Sequence, residues 1–290
     1  MKPTSTFTKK LFEQRLATVG LIWISLWIIV AIAGPLLRPD PTPFANDQYL
    51  EFSMLSPGTV VERADGSFTY FLGSDRYGRD FLSRLMAGSA ISLSVAGVAV
   101  LISLVIGLFL GSVAGYKGGR TDAVISWFLQ VVWTIPTLLM VLAITLAFGK
   151  GFWQVFIAIG LTMWVEVARI VRGQFISMRE LEYIQAAKAL GVSDFKIMFR
   201  HMLPNALGPI IVVAAANFAA AILIESGLSF LGVGAQIPVP SWGNIIKEHY
   251  HLLTSDFAWL AIIPGALIAS LVLAFTWLGD GLRVAFEVNK

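Results

Sequence analysis

Polar segments divide the chain into apolar runs at about 16–37, 90–115, 123–148, 152–172, 206–231 and 258–279. A hydrocarbon core about 30 Å thick is crossed by roughly 20 residues of α-helix, and every run reaches that length. Backbone N–H and C=O groups have no partners in lipid, so spans of this kind fold as helices. The pattern predicts an all-α, polytopic membrane protein with six transmembrane helices and both termini on one side. The first run follows Lys9, Lys10 and Arg15 and contains Ala31-Ile32-Ala33, an A-x-A-like site. It exceeds the roughly 7–15-residue apolar stretch of a cleaved signal, so it is read as a retained first span.

Charge placement sets the orientation. With the N-terminus inside, two thirds of the 21 Lys and Arg residues fall on the cytoplasmic side, Lys2 and Lys290 among them. The outer side keeps Lys150, Lys247 and five arginines (Arg38, Arg63, Arg76, Arg79, Arg84) of one long loop, where charge has less topogenic weight. An N-in, C-in chain follows. The loop 38–89 begins with Pro39, Pro41 and Pro43 and ends in LGSDRYGRDFLSR (72–84), where Ser74 or Asp75 suits the cap of a short lead-in helix. The outer loop 233–257 contains Trp242 and His249-Tyr250-His251. Two histidines at i, i+2, with only Glu248 and Asp256 nearby, make a poor metal site. Trp242 and Trp259 suit the interfacial aromatic belt.

Composition narrows the function. Hydrophobic side chains make up 57% and charged ones 13%, against about 25% charged in soluble proteins. The mean hydropathy is +0.76. The net charge of +3 resides in loops rather than in a nucleic-acid patch. No cysteine is present, which excludes disulfides, thiolate nucleophiles and Cys-based metal sites. Neither G-x-S-x-G, H-E-x-x-H nor a phosphate-binding P-loop occurs. GYKGGR (115–120) lacks P-loop spacing and reads as a tight turn. No catalytic, cofactor or metal residue is assigned, and the chain is not read as an enzyme.

Ionisable groups inside spans are functional candidates. Glu166 precedes Arg169 by three residues, which predicts an i, i+3 pair near the cytoplasmic end of its helix. Arg172 lies one turn further, and Glu225 has no obvious partner within its helix, so it faces the bundle interior or a water-filled path. These four are the candidate pathway or structural polar residues. Their scarcity argues against a stand-alone secondary carrier or channel. Gly107, Gly111 and Gly115 recur at i+4 and permit close helix contact, and Pro136 should kink the third span.

The stretch YIQAAKALGVSDFKIMFRHMLPN (183–205) departs from the apolar pattern. Arg179–Leu190 is rich in strong helix formers, and Gly191 fits the position past a helix end. Ser193 is placed to cap a second helix, on which Phe195, Met198, Phe199 and Met202 form an apolar stripe. Pro204 is expected to end that helix. The spacing resembles a DNA-binding helix-turn-helix, but a reading helix must offer polar groups to base edges, and spans adjoin it on both sides. A docking element in the cytoplasm is the better reading.

Here the chain resembles the permeases of ATP-binding-cassette importers. A-A-x-x-x-G, an apolar helix and L-P, before the penultimate span, look like their EAA motif. LGSDRYGRDFLSR (72–84), AGYKGGRTD (114–122), 168–205, ESGLSFLGVG (225–234), PSWGNII (240–246) and GDGLR (279–283) resemble the "C"-type subunits of the oligopeptide, dipeptide and nickel branch. Gln185 stands where the motif often has Glu, and the tail reads VAFEVNK. The resemblance implies a type I importer permease fold, with residues 1–89 as tail, first span and outer loop, 90–284 as the transmembrane domain, a coupling hairpin at about 179–203, and a cytoplasmic tail at 285–290. It implies a homologous second permease, two cytoplasmic ATPases, an extracytoplasmic substrate-binding protein and the lipid of a bacterial or archaeal cytoplasmic membrane, with no nucleic acid. Tyr183, Gln185, Ala186, Ala187, Lys188 and Gly191 are the expected ATPase contacts. Di- or oligopeptides are the expected cargo, with nickel, glutathione or another small nutrient as the alternative.

Overall fold

A computed structural model describes residues 4–63, 66–149 and 151–287. Lys2, Lys150 and Lys290, which entered the charge argument, and the last residues of the tail lie outside them. A short helix α1 (Thr4–Glu13) leads into α2 (Arg15–Leu37), the first span. The second span, α3, is one helix from Phe81 to Lys117. The third is broken into α4 (Gly119–Trp133) and α5 (Thr137–Phe148), which meet at 89°. Next come α6 (Phe152–Arg179), α7 (Glu182–Ala189) and a helical turn α8 (Asp194–Lys196). Then α9 (Leu203–Phe230), α10 (Trp242–His249) and α11 (Trp259–Glu287) complete the helices. Among the described residues five helices can span a membrane, and six spans result when the bent pair counts as one.

Pro136 does more than kink its span. It lacks the N–H that would bond back to Val132, and its ring disfavours helical geometry at Ile135. Thr134 N–H instead bonds to Gln130 O and Ile135 N–H to Val132 O, which closes α4. Pro136, at ψ 124°, then starts α5 in a new direction.

The polar loop holds structure that its turn residues did not announce. Thr59–Arg63 (β1) and Gly66–Tyr70 (β2) form an antiparallel hairpin, registered from Thr59 opposite Tyr70 to Arg63 opposite Gly66. The lead-in helix is not separate, because α3 begins at Phe81 and continues across residues 89 and 90. Its cap is Asp80, whose Oδ2 accepts from Ser83 N–H at 2.8 Å, rather than Ser74 or Asp75. Those two are consumed by the loop. Ser74 Oγ donates to Phe52 O and accepts from Leu55 N–H, and Asp75 Oδ1 accepts from the N–H groups of Tyr77 and Arg79.

Both described ends of the chain lie on one face. Phe7 of α1 packs on Phe286 of α11 with ring centroids 4.8 Å apart. Leu11, Ala17 and Ala285 form a small core there. Gly208, near the start of α9, lies against the same Phe286 ring, so the α7–α8 hairpin shares this face. The β-hairpin and α10 cap the opposite one.

The frame is the contact between α3 and α6. A Cβ at Gly107 would sit 2.5 Å from Val167 Cβ, at Gly111 2.5 Å from Ala168 O, and at Gly115 2.5 Å from Phe175 Cβ. Gly160 makes the reciprocal approach to Ile102, at 2.7 Å. The i+4 glycines therefore form a seam along which backbones touch. Gly111→Val drives a side chain into the Ala168 carbonyl and should cost about 3 kcal/mol or more. Gly173 of α6 faces open space, and Gly173→Ala should instead gain roughly 0.5–1 kcal/mol. Thermal unfolding of the two variants in detergent checks the contrast, and equal melting temperatures would rule the seam out.

Candidate functional site

The hairpin is anchored on one side and open on the other. Ile184 of α7 is buried with Tyr116, Phe175 and Met178 beneath Ile197, Met198 and Met202. Tyr116 hydroxyl donates to Asp194 Oδ1 at 2.8 Å, tying α3 to the hairpin. After α7, Gly191 adopts φ +75°. Its N–H bonds to Lys188 O, and Val192 N–H bonds to Ala187 O. This paired closure satisfies the last carbonyls of the helix and needs a left-handed residue. The predicted glycine stop is therefore present in the expected place.

Two expectations about the second helix need correction. Ser193 occupies the cap position with extended backbone but makes no side-chain capping bond. Pro204 does not end the helix: Asp194–Phe230 runs as one helical rod of 37 residues. The reason is a π-helical stretch over Ile197–Met202, where Leu203 N–H bonds to Met198 O, five residues back. That wider winding loosens the turn which the Pro204 ring would otherwise crowd. It also rotates the apolar stripe. Ile197 joins Met198 and Met202 in the core, Phe199 is half-buried, and Phe195 is 69% exposed.

Tyr183, Gln185, Ala186, Lys188 and Gly191 are exposed and Ala187 is half-buried. A Cβ on Gly191 would meet nothing within 4 Å. Leu190 beside it is 83% exposed. Gln185 Nε2 donates to Arg179 O at 2.9 Å, holding the start of α7 against the end of α6. Tyr183 hydroxyl accepts from Asn205 Nδ2 at 3.3 Å.

The four polar candidates separate. Glu166 does not pair with Arg169, whose guanidinium stacks on Trp133 at 3.8 Å. Nor is the glutamate near a helix end, because α6 extends to Arg179 and places it midway. It lines a cavity of about 320 Å³ at the bend of the third span, with Trp133, Pro136, Thr137, Met140 and Thr162. Arg172 is claimed by Asp122, its Nε and Nη2 donating to the two carboxylate oxygens at 2.5 and 2.8 Å. Asp122 and Arg172 both lay in quoted stretches, but nothing in the sequence signals their pairing across fifty residues. Glu225 is buried and accepts from Ser229 Oγ at 2.7 Å and Ser92 Oγ at 3.2 Å. It fastens α9 to α3 beneath the cap, where Ser92 Oγ also accepts from Trp242 N–H.

In the cap, sequence reading missed a buried charge network. Arg79 Nε donates to Asp75 Oδ2 at 2.6 Å and Arg79 Nη2 to Glu248 Oε2 at 2.5 Å. Arg84 Nη2 lies 3.7 Å from the same Glu248 oxygen. The network joins the outer loop to α10. Asp75, Glu248 and His249 bring metal-type ligand atoms within 4.8 Å of one another. His251 is not among them. Two guanidiniums already balance the two carboxylates, so the cluster has no excess negative charge to attract a cation.

The fold is that of a multi-pass helical membrane protein with an exposed hairpin on one face. One family model, described as binding-protein-dependent transport system inner membrane component, matches residues 107–286, and the chain belongs to that family. It is similar to the dipeptide transport system permease protein DppC of Bacillus subtilis (strain 168), 34% identical over 99% of this chain and 87% of the relative. The DppC of Alkalihalophilus pseudofirmus is 38% identical over 96% of this chain and 88% of its own. The glutathione transport system permease protein GsiD of Pectobacterium atrosepticum is 33% identical over 98% and 91%. Among solved structures, the inward-facing MetNI methionine ABC transporter shares the fold, with a TM-score of 0.56 and 19% identity over 71% of this chain and 96% of its own. The chain is thus a multi-pass permease subunit of an ABC importer.

His249 gives the cap a pH dependence. Its Nδ1–H donates to Ile245 O at 2.8 Å, and burial lowers its pKa despite the nearby Asp75 and Glu248 carboxylates, with Arg79 pushing the same way as burial. A folded-state pKa below the unfolded value of about 6.5 means that the unfolded chain binds the extra proton first. Stability is full above that value and falls as pH drops below it. His249→Gln should melt with a shallower loss between pH 7.5 and 5.5 than the parent; parallel curves would remove His249 as the cause.

Proposed function

We propose that this chain is one half of the translocation pathway of an ATP-driven importer for di- or oligopeptides, and that the hairpin face is cytoplasmic. Peptide names recur among the relatives, and glutathione, the cargo named for GsiD, is itself a small peptide. The orientation rests on the lysines and arginines of the inner loops. On this reading a homologous permease completes the path, an extracytoplasmic binding protein delivers cargo to the cap, and two ATPases dock on the hairpins in a bacterial or archaeal cytoplasmic membrane. The transport unit comprises residues 90–284, with 1–89 adding the tail, the first span and the outer loop.

The observation that carries the coupling role is the hairpin itself, buried through Ile184 and Ile197 yet offering Ala186, Leu190 and Gly191 to solvent. Small residues let a partner approach closely, and the exposed Leu190 supplies apolar contact. Tyr183, Gln185, Ala187 and Lys188 border the same surface. ATP-driven closure of the ATPases would then push on α7, and through it on α6 and α9.

Gly191→Arg places bulk in that surface, while Gly191→Asn keeps the left-handed backbone at little cost. Arginine should abolish ATPase co-purification and peptide uptake with membrane insertion intact, and asparagine should retain most of both. An arginine variant that still recovers the ATPases and imports normally would end the docking assignment.

A further inference from the structure

Glu166 is an acid at the middle of α6 that has no ion-pair partner among the described residues. The three basic residues that follow it on α6 are engaged elsewhere, Arg169 by the Trp133 ring, Arg172 by Asp122 and Arg179 by Glu180. Among the described residues no cation lies within ion-pair distance of its carboxylate. It is solvent-exposed, and it stands about 20 Å from either end of α6 at 1.5 Å per residue. An ionisable side chain at that depth is too costly to face lipid and must face protein or water. It opens instead into the cavity at the break between α4 and α5, whose volume of about 320 Å³ lies at the lower end of small-ligand sites. Trp133, Met140 and Pro136 give that cavity apolar walls, while Thr137 and Thr162 supply hydroxyl-bearing residues.

We propose that Glu166 is a specificity-determining residue of the translocation path, where its carboxylate meets the ammonium groups of a passing peptide. The inference rests on the peptide-permease reading above. Every peptide with a free N-terminus carries one such group, and lysyl peptides carry a second. The broken span makes the site possible. A straight third helix would fill the space that the 89° bend leaves, and the carboxylate would then be buried unpaired.

The test uses the whole transporter, with its second permease, ATPases and binding protein, in cells lacking other peptide uptake. Uptake of Lys-Ala-Ala is measured against Glu-Ala-Ala, and the ratio in each variant is divided by that of the parent, which cancels the preference of the binding protein. Glu166→Gln should lower the ratio about fivefold, the effect of one ion pair in water-rich surroundings. Glu166→Lys should lower it further, and Glu166→Asp should keep it. A ratio unchanged in Glu166→Gln and Glu166→Lys, with transport intact, overturns the inference and leaves the peptide reading standing. Equal loss of both peptides together with loss of the second permease on purification also overturns it, since Glu166 would then be an interface anchor. A parent complex that imports neither peptide overturns the peptide reading and the inference together.

Discussion

Backbone contact between α3 and α6 is the constraint on which the remaining architecture depends. In lipid, one apolar helix surface gains little by trading acyl chains for another, so association relies on close packing. Gly107, Gly111 and Gly115 on one helix and Gly160 on the other remove the side chains that would hold the axes apart. The seam ends at Tyr116, whose hydroxyl reaches Asp194, and α6 ends at the start of the hairpin. The position of the exposed hairpin is therefore fixed by a glycine-lined contact that begins deep in the apolar bundle.

Charge is handled in two opposite ways at different depths. In the cap, Asp75, Arg79, Arg84 and Glu248 are buried and mutually neutralised. Such a group adds little stability over an apolar core, but removing one member is costly. Its effect here is to fix how the outer loop sits on α10. At mid-span the reverse holds, because Glu166 is exposed and unbalanced. The cap charges are held in one arrangement, whereas the mid-span carboxylate is left to solvent.

Much of this was legible in the residues. Span number, the glycine face and the helix stop at Gly191 follow from period, spacing and dihedral preference, and all are local properties. The motif-bearing stretches carry the family resemblance in the residues themselves. What escaped were pairings between distant segments. Asp122 with Arg172, Arg79 with Glu248 and Glu225 with Ser92 have no periodicity to betray them. Local competition misled as well. Glu166 and Arg169 have favourable spacing, yet the arginine prefers the Trp133 face across the bend. Pro204 looked like a terminator because nothing in its neighbours signals the π-helical turn that accommodates it.

That turn has a mechanical consequence. Residues 194–230 form one continuous rod, about 55 Å long at 1.5 Å per residue, with its lower tip inside the hairpin and its upper end beside Glu225 under the cap. Tilting such a rod by about 5° about one end displaces the other by roughly 5 Å, close to one helical turn. Had Pro204 severed the helix, the same push would dissipate in a hinge at the membrane surface. The π-winding at Ile197–Met202 joins a short element to a long rod, so that a displacement at its lower tip would tilt the whole span as one body instead of being absorbed at Pro204.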